Sequence, residues 1–267
     1  MIVTGASAGI GRTICERLAR RPVRLVLAAR SADRLHELQT RLERTGTSCL
    51  SVTTDVCDPN DLDRLVQATV AHFGRIDVLV NNAGIDCFAE FETLTTEQIL
   101  QTIETNLTGS ILLTRLVIPV MRAQGRGTII KMASTAGKHG PAYGAVYGAT
   151  KAGLIGFTQG LRGELLEQGI QATAICPGFT TNGGIYDRIV AVTGKRISPL
   201  VGGTTSDAVA AAVERAIRDG MPELIVNWPA LRPIFLFREL FPRLGEMLIV
   251  KMTRKFLQRA ASRNSES

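Results

Sequence analysis

The sequence predicts an α/β fold in which a doubly wound parallel sheet of about seven strands is flanked by helices on both faces. Three observations carry this. Short, almost continuously apolar runs alternate with amphipathic helical patterns as far as residue 226. The runs lack the polar alternation of strands with one wet face, and the first turns through closely spaced glycines into a helix. A chain of 267 residues, 45% hydrophobic and 21% charged, suits one globular domain with a small appendage.

In chain order, Met1-Ile2-Val3 is the stub of a strand, below the usual length of about five residues. Either this strand is short or the natural start lies upstream. The helix after it carries Ile14, Leu18 and Ala19 on one face. Residues 23–29 form a second strand, and Ser31 is placed to cap a helix whose inner face is Leu35, Leu38 and Leu42. A third strand, 49–53, stops at Asp55, before a helix with Leu62, Leu65, Val66 and Val70 inward. The fourth, 76–80, runs into Asn81-Asn82-Ala83-Gly84. Two long helices, about 106–124 and 146–168, enclose a fifth strand at 128–132. The sixth, 171–176, stops at Pro177-Gly178. Residues 180–194 read as a loop with a helical piece at 185–192; 207–218 form a helix and 223–226 a last strand. The expected organisation is a catalytic domain over 1–227 and a basic amphipathic extension over 228–267.

Cysteines 15, 49, 57, 87 and 176 show no Cys-x-x-Cys or short Cys/His spacing, so a reduced, cytoplasmic protein with no metal site is expected. No signal-peptide pattern opens the chain, and no uncharged run approaches the ~20 residues of a spanning helix. Of the net charge of +7, residues from Arg232 onward hold +5, from eight Arg or Lys against three Glu. The body is nearly neutral, so nucleic acid is not an expected partner.

Gly5, Gly9 and Gly11 stand between the first strand and its helix, in Thr4-Gly5-Ala6-Ser7-Ala8-Gly9-Ile10-Gly11. Such glycines let the backbone turn tightly against a pyrophosphate held by free N–H groups at a helix N-terminus. No Lys-Ser or Lys-Thr follows, which disfavours ATP hydrolysis. The turn points to a single Rossmann-like domain. Where an acidic side chain would hold the ribose hydroxyls of NAD, the second strand ends in Ala28-Ala29-Arg30. An arginine there pairs with a 2′-phosphate and favours NADP(H); the bland alternative is a solvated residue at a strand end.

Tyr147 and Lys151 lie four apart near a helix start, hence on one face. A phenol is a poor base at neutral pH, but a nearby ammonium stabilises the phenolate and makes proton exchange with a carbonyl or alcohol oxygen feasible. Ser134, just after the fifth strand, is placed to hold that oxygen. Such a Tyr and Lys alone are commonplace; the chain order of glycine turn, Arg30, Asn-Asn-Ala-Gly, Ser134, Tyr147/Lys151 and Pro-Gly is not.

In that order the chain resembles the short-chain dehydrogenase/reductase family over about residues 1–226. The resemblance implies cofactor contacts from the turn, including Ser7 and Ile10, and from Asn82, Ala83 and Gly84. It implies adenine contacts from Asp55 and Val56, and nicotinamide contacts from Pro177, Gly178 and Thr180. It adds Asn106 as a further catalytic residue holding a water in the proton relay, and implies a homodimer or homotetramer built on the two long helices. Two positions depart from the family pattern: Lys131, often Asn, and Ala133, often Ser.

Phe88, Phe91, Phe179, Ile185, Tyr186 and Ile189 suggest an apolar substrate wall, with His139 and Tyr143 as polar additions. A lipid-like, steroid-like or 3-oxoacyl carbonyl or alcohol is the expected partner of a ketoreductase of this kind. The tail interleaves apolar residues with Arg232, Arg238, Arg243, Lys251, Arg254 and Lys255, and reads as a helix pair broken at Pro242. It rests on anionic lipid or guides an apolar substrate to the cleft, or it packs on its own domain or a sister subunit. The alternative to an enzyme is an NADP(H)-sensing or scaffold protein of the same fold.

Overall fold

The structure, a computed structural model, describes residues 1–183, 185–194 and 197–264. β1 (Ile2–Thr4), α1 (Gly9–Leu18), β2 (Arg24–Ala29), α2 (Ala32–Glu43), β3 (Ser48–Thr53), α3 (Pro59–Phe73) and β4 (Val78–Asn81) form the first half. Then come α4 (Thr96–Ile103), a π-helical turn at Glu104–Thr108, α5 (Gly109–Ala123), β5 (Gly127–Met132), α6 (Ala145–Leu165) and β6 (Ile170–Pro177). β7 (Thr180–Thr181), α7 (Ile185–Thr193), β8 (Thr204–Thr205), α8 (Ser206–Asp219), β9 (Glu223–Val226), α9 (Arg232–Leu240) and α10 (Pro242–Asn264) complete the described chain.

Seven strands make one parallel sheet in the order β3-β2-β1-β4-β5-β6-β9. The apolar runs are strands because both faces are covered: along β2, Leu25, Leu27 and Ala29 enter the layer under α1, α2 and α8, and Val26 and Ala28 the layer under α3, α5 and α6. Each fully buried Leu or Ile contributes about 1.5–3 kcal/mol. β1 is as short as its sequence, yet it pairs with both neighbours, Val3 lying opposite Leu27 and Val80. Strand order reverses between β1 and β4, so a crevice opens there beyond the carboxyl ends.

Three local expectations are corrected. The fourth strand begins at Val78, because the side-chain amide of Gln124 takes both the N–H and the C=O of Ile76, at 2.9 Å each. The first long helix is not one element from Asn106. α4 precedes it, started by a capping box in which Thr95 accepts from the Gln98 N–H and Gln98 accepts from the Thr95 N–H, and a π turn joins α4 to α5. The second stops at Leu165, where a 3₁₀ turn runs into Gly169 at φ 68°. The tail forms the two helices expected, divided at Pro242.

Lys131 of β5 is wholly buried. Its Nζ donates to the Ser110 carbonyl at 2.6 Å, to Ser110 Oγ at 2.7 Å and to Thr114 Oγ1, and lies 5.0 Å from the centre of the Phe157 ring. No ion pair reaches it among the described residues, and burial pushes its ammonium well below the usual lysine range. A lysine whose folded value lies below its unfolded value of ~10.4 costs stability increasingly as pH falls through the interval between the two. Lys131→Met is expected to flatten the pH dependence of the unfolding free energy measured in urea, from the unfolded value of ~10.4 downward, by up to about 1.4 kcal/mol per pH unit. An unchanged slope would show that this lysine is charged in the folded protein.

Candidate active site

The crevice is assembled around Thr4. Its hydroxyl accepts from the N–H groups of Asn82 and Ala83, both at 3.0 Å, and the Asn82 amide donates back to the Thr4 carbonyl at 3.0 Å. The Asn-Asn-Ala-Gly element is thus tied across the sheet to the glycine turn, with Asn81 Nδ2 donating to Thr114 Oγ1 at 3.3 Å behind it. Gly5 (φ 66°) and Gly9 (φ 52°) adopt left-handed backbone, and a side chain on Gly11 would strike the Gly5 carbonyl. The first turn of α1 holds no acid, and Ala8 at its N-cap offers no side-chain acceptor, so its first N–H groups face the crevice uncapped by side chains. This shape and polarity fit a dinucleotide pyrophosphate.

At the far end, Arg30 is exposed where β2 ends and does not line the cleft. Arg34, one turn into α2, does, and its Nε donates to Ser31 Oγ at 3.1 Å. The sequence reading stopped at the strand end and missed this second guanidinium. Both cations suit a 2′-phosphate.

Near the carboxyl ends of β5 and β6, Ser134, Tyr147 and Lys151 converge. Ser134 caps a short 3₁₀ turn, accepting from the Ala136 N–H at 3.1 Å and donating to the Pro177 carbonyl at 3.4 Å. Lys151 Nζ donates to the Met132 carbonyl at 2.9 Å and lies 5.6 Å from the centre of the Tyr147 ring. Burial drives the Tyr147 phenol up to about 12, a hydrogen bond with Ser134 pulls it down, and Asp86 adds to the rise. Burial brings the Lys151 ammonium down to about 8, against a small opposing pull from Cys176. Asn106, in the π turn, is fully partnered: Oδ1 accepts from the Ile85 N–H at 2.7 Å, and Nδ2 donates to the Ile85 carbonyl at 2.9 Å and to Thr150 Oγ1 at 3.3 Å.

These features share one cleft of about 760 Å³. Gly5, Gly9, Ile10, Asn82, Ala83, Gly84, Ser134, Tyr147, Lys151, Pro177, Gly178 and Thr180 line it. Ser7, Gly11, Arg30, Asp55, Val56 and Asn106 do not; the Asp55 carboxylate accepts from the Cys57 N–H at 2.9 Å instead. Of the expected apolar wall, Phe88, Phe179, Tyr186 and Ile189 line the cleft. The side chain of Ile185 lies outside the described residues. Phe91 sits in a separate hollow with Tyr143, whereas His139 faces the cleft.

The C-terminal helices close the apolar side, packing on their own domain, one of the alternatives that the tail's sequence leaves open. Ile234 and Phe235 of α9 and Ile249, Met252 and Leu257 of α10 line the cleft, and the Phe256 ring lies 5.5 Å from that of Phe179 and 5.8 Å from that of Tyr186.

Comparison with known proteins agrees with this geometry. The family model described as short chain dehydrogenase matches residues 1–186. The chain is 36% identical over 229 residues to the ketoacyl reductase HetN of Nostoc sp., covering 85% of this chain and 78% of the relative. It is 37% identical over 179 residues to a 3-oxoacyl-[acyl-carrier-protein] reductase of Synechocystis sp., covering 67% of this chain and 72% of that one. Among solved structures, a variant of actinorhodin polyketide ketoreductase with NADPH superposes with a TM-score of 0.79 at 32% identity, covering 85% of this chain and 94% of that one. With its strand order, glycine turn and Ser-Tyr-Lys arrangement, the chain belongs to the short-chain dehydrogenase family.

Proposed function

We propose that Tyr147, Lys151 and Ser134 carry the reaction of this enzyme, an NADP(H)-dependent oxidoreductase that interconverts a carbonyl and a secondary alcohol. The observation that carries the assignment is the convergence of these three side chains in the cleft that begins at the glycine turn. NADPH bound along that cleft supplies the hydride. In reduction, Tyr147 donates its phenolic proton to the carbonyl oxygen, and Ser134 hydrogen-bonds the same oxygen while charge develops on it. Lys151 stabilises the phenolate left behind. In oxidation the proton returns to Tyr147.

Asn106, its amide committed to Ile85, acts on our reading by fixing the Gly84–Ile85 backbone beside Lys151, where it belongs to the proton relay. We assign the pyrophosphate to Gly5, Ser7, Gly9, Ile10 and Gly11, the 2′-phosphate to Arg30 with Arg34, and adenine to Asp55 and Val56. Asn82, Ala83 and Gly84 border the middle of the cofactor, and Pro177, Gly178 and Thr180 the nicotinamide.

The aromatic and aliphatic wall supports a small apolar substrate, and the ketoacyl reductase names of relatives favour a 3-oxoacyl or similar lipid-like ketone. We read residues 1–227 as the catalytic domain and 228–267 as an extension that makes peripheral membrane contact. The family resemblance and the free cysteines support a cytoplasmic homodimer or homotetramer.

Loss of NADPH absorbance with a panel of ketones tests the assignment. Tyr147→Phe is expected to lower kcat by about 10²–10⁴ with NADPH affinity retained; NADPH binding without turnover of any ketone by the parent chain would favour a sensor.

The rate of reduction is expected to fall as pH rises through about 8, where Lys151 loses its proton, and Lys151→Arg, which does not titrate there, should remove that limb at a lower plateau. A limb that persists in the arginine variant would move the titration to another group.

Arg30→Ala and Arg34→Ala should each raise KM for NADPH by roughly 10–100-fold, the worth of a charge-assisted hydrogen bond, and leave KM for NADH unchanged. Equal effects on both cofactors would remove the 2′-phosphate contact.

A further inference from the structure

Fourteen large apolar side chains are exposed among the described residues, and eight of them fall between Trp228 and Leu248. On α9 they are Leu236, Phe237 and Leu240, followed by Phe241; on α10 they are Leu244, Met247 and Leu248. Leu240 is 65% exposed and Met247 63%, so the ridge is not grazing solvent but standing in it. Spacings of three and four residues put these side chains along the outer faces of the two helices.

The hairpin is held so that this ridge faces out. Gly245 lets α10 approach the backbone of α9 at Arg238. Arg238 Nη1 donates to the Lys138 carbonyl at 3.2 Å and lies 3.4 Å from His139 Nδ1, while Glu246 approaches His139 at 3.5 Å. Of the two acids of the hairpin, Glu239 pairs with Arg238, and Glu246 lies 3.5 Å from His139, an ion pair only when that imidazole is protonated. By contrast Arg232, Arg243, Lys251, Arg254 and Lys255 are exposed and form no ion pair among the described residues.

We infer that α9 and α10 dock this enzyme on an anionic lipid bilayer and pass an apolar ketone from the lipid to the cleft. The second half of that statement rests on the reductase reading above. An apolar ridge edged by unpaired cations is the pattern of a helix lying in the interface, with side chains among the acyl chains and ammonium or guanidinium groups at the phosphates. A second copy of the chain fits less well, since a two-fold contact would bring the same cations face to face. No described helix is long and apolar enough to cross a membrane, so the contact is with one surface. The inner sides of the same helices, through Ile234, Phe235, Ile249 and Met252, are walls of the cleft. A substrate dissolved in lipid thus needs to pass only one helix layer to reach Tyr147.

The test is flotation of the full chain with vesicles of phosphatidylcholine alone and of phosphatidylcholine mixed with phosphatidylglycerol. Co-flotation is expected with the mixed vesicles only, declining with salt. Lys251→Gln and Lys255→Gln should each weaken it roughly fivefold. The double variant Leu240→Glu/Leu244→Glu, both positions already exposed, should abolish it. That variant should also keep the parent rate on a short water-soluble ketone and lose at least about tenfold on a long-chain ketone carried in the mixed vesicles, more than the ~0.8 kcal/mol transfer of one methylene explains. Absence of co-flotation at low salt, or partitioning unmoved by the double variant, overturns the inference. So does a concentration-dependent dimer that this variant dissociates without any vesicle binding. If flotation behaves as expected but no ketone is reduced, the bilayer contact stands and the reductase reading fails.

Discussion

The bond set between Thr4 and Asn82 is the constraint on which the rest of the site depends. β1 has only three residues to pair, so ladder bonds alone leave its carboxyl end weakly held. One hydroxyl accepts from two backbone N–H groups and one amide returns the bond, which converts the switch between β1 and β4 from a gap into a braced edge. The glycine turn begins at the next residue. Its left-handed positions have meaning only if the strand that launches them is fixed, and Asn82 is also the side chain nearest Gly5.

Burial sets the chemistry on the opposite side of the crevice. Removing Tyr147 and Lys151 from water disfavours both charged forms, and it also strengthens whatever interaction they make with each other and with a developing alkoxide. In the proposed mechanism, reduction starts from the neutral phenol and the ammonium, the forms favoured at neutral pH by values of about 12 and about 8. The protein therefore rests in the proton inventory that the reductive direction consumes. Lys131 is another buried lysine, and it is bound up in the contact of β5 with α5, away from the cleft lining.

Much of this was legible before any coordinates. Parallel strands covered on both faces have to be apolar throughout, so residues 24–29, 127–132 and 170–177 announce themselves, as do the glycine turn and the Tyr147/Lys151 spacing. What was not legible has specific causes. α4 buries little, and its capping box is a weaker mark than an apolar face. Arg34 reaches the cleft from a helix, while the reading weighed only the end of the strand. Phe88 and Phe91 are alike in sequence, and only the path of the loop sends one inward and the other out. The tail was ambiguous for a more basic reason: α9 and α10 are apolar on both sides, and periodicity cannot say which side meets the protein.

The match to the family model ends at residue 186, and the helices that wall the apolar end of the cleft begin at Arg232. The glycine turn, Ser134, Tyr147 and Lys151 thus fall within the family match, and part of the apolar lining of the cleft falls beyond it. α9 and α10 reach the cleft with aliphatic and aromatic side chains, so a change in either helix reshapes the apolar end of the cleft while leaving the glycine turn, Ser134, Tyr147 and Lys151 in place. The C-terminal hairpin thereby shapes one end of the cleft without touching the other, as a wall fitted against a fixed floor.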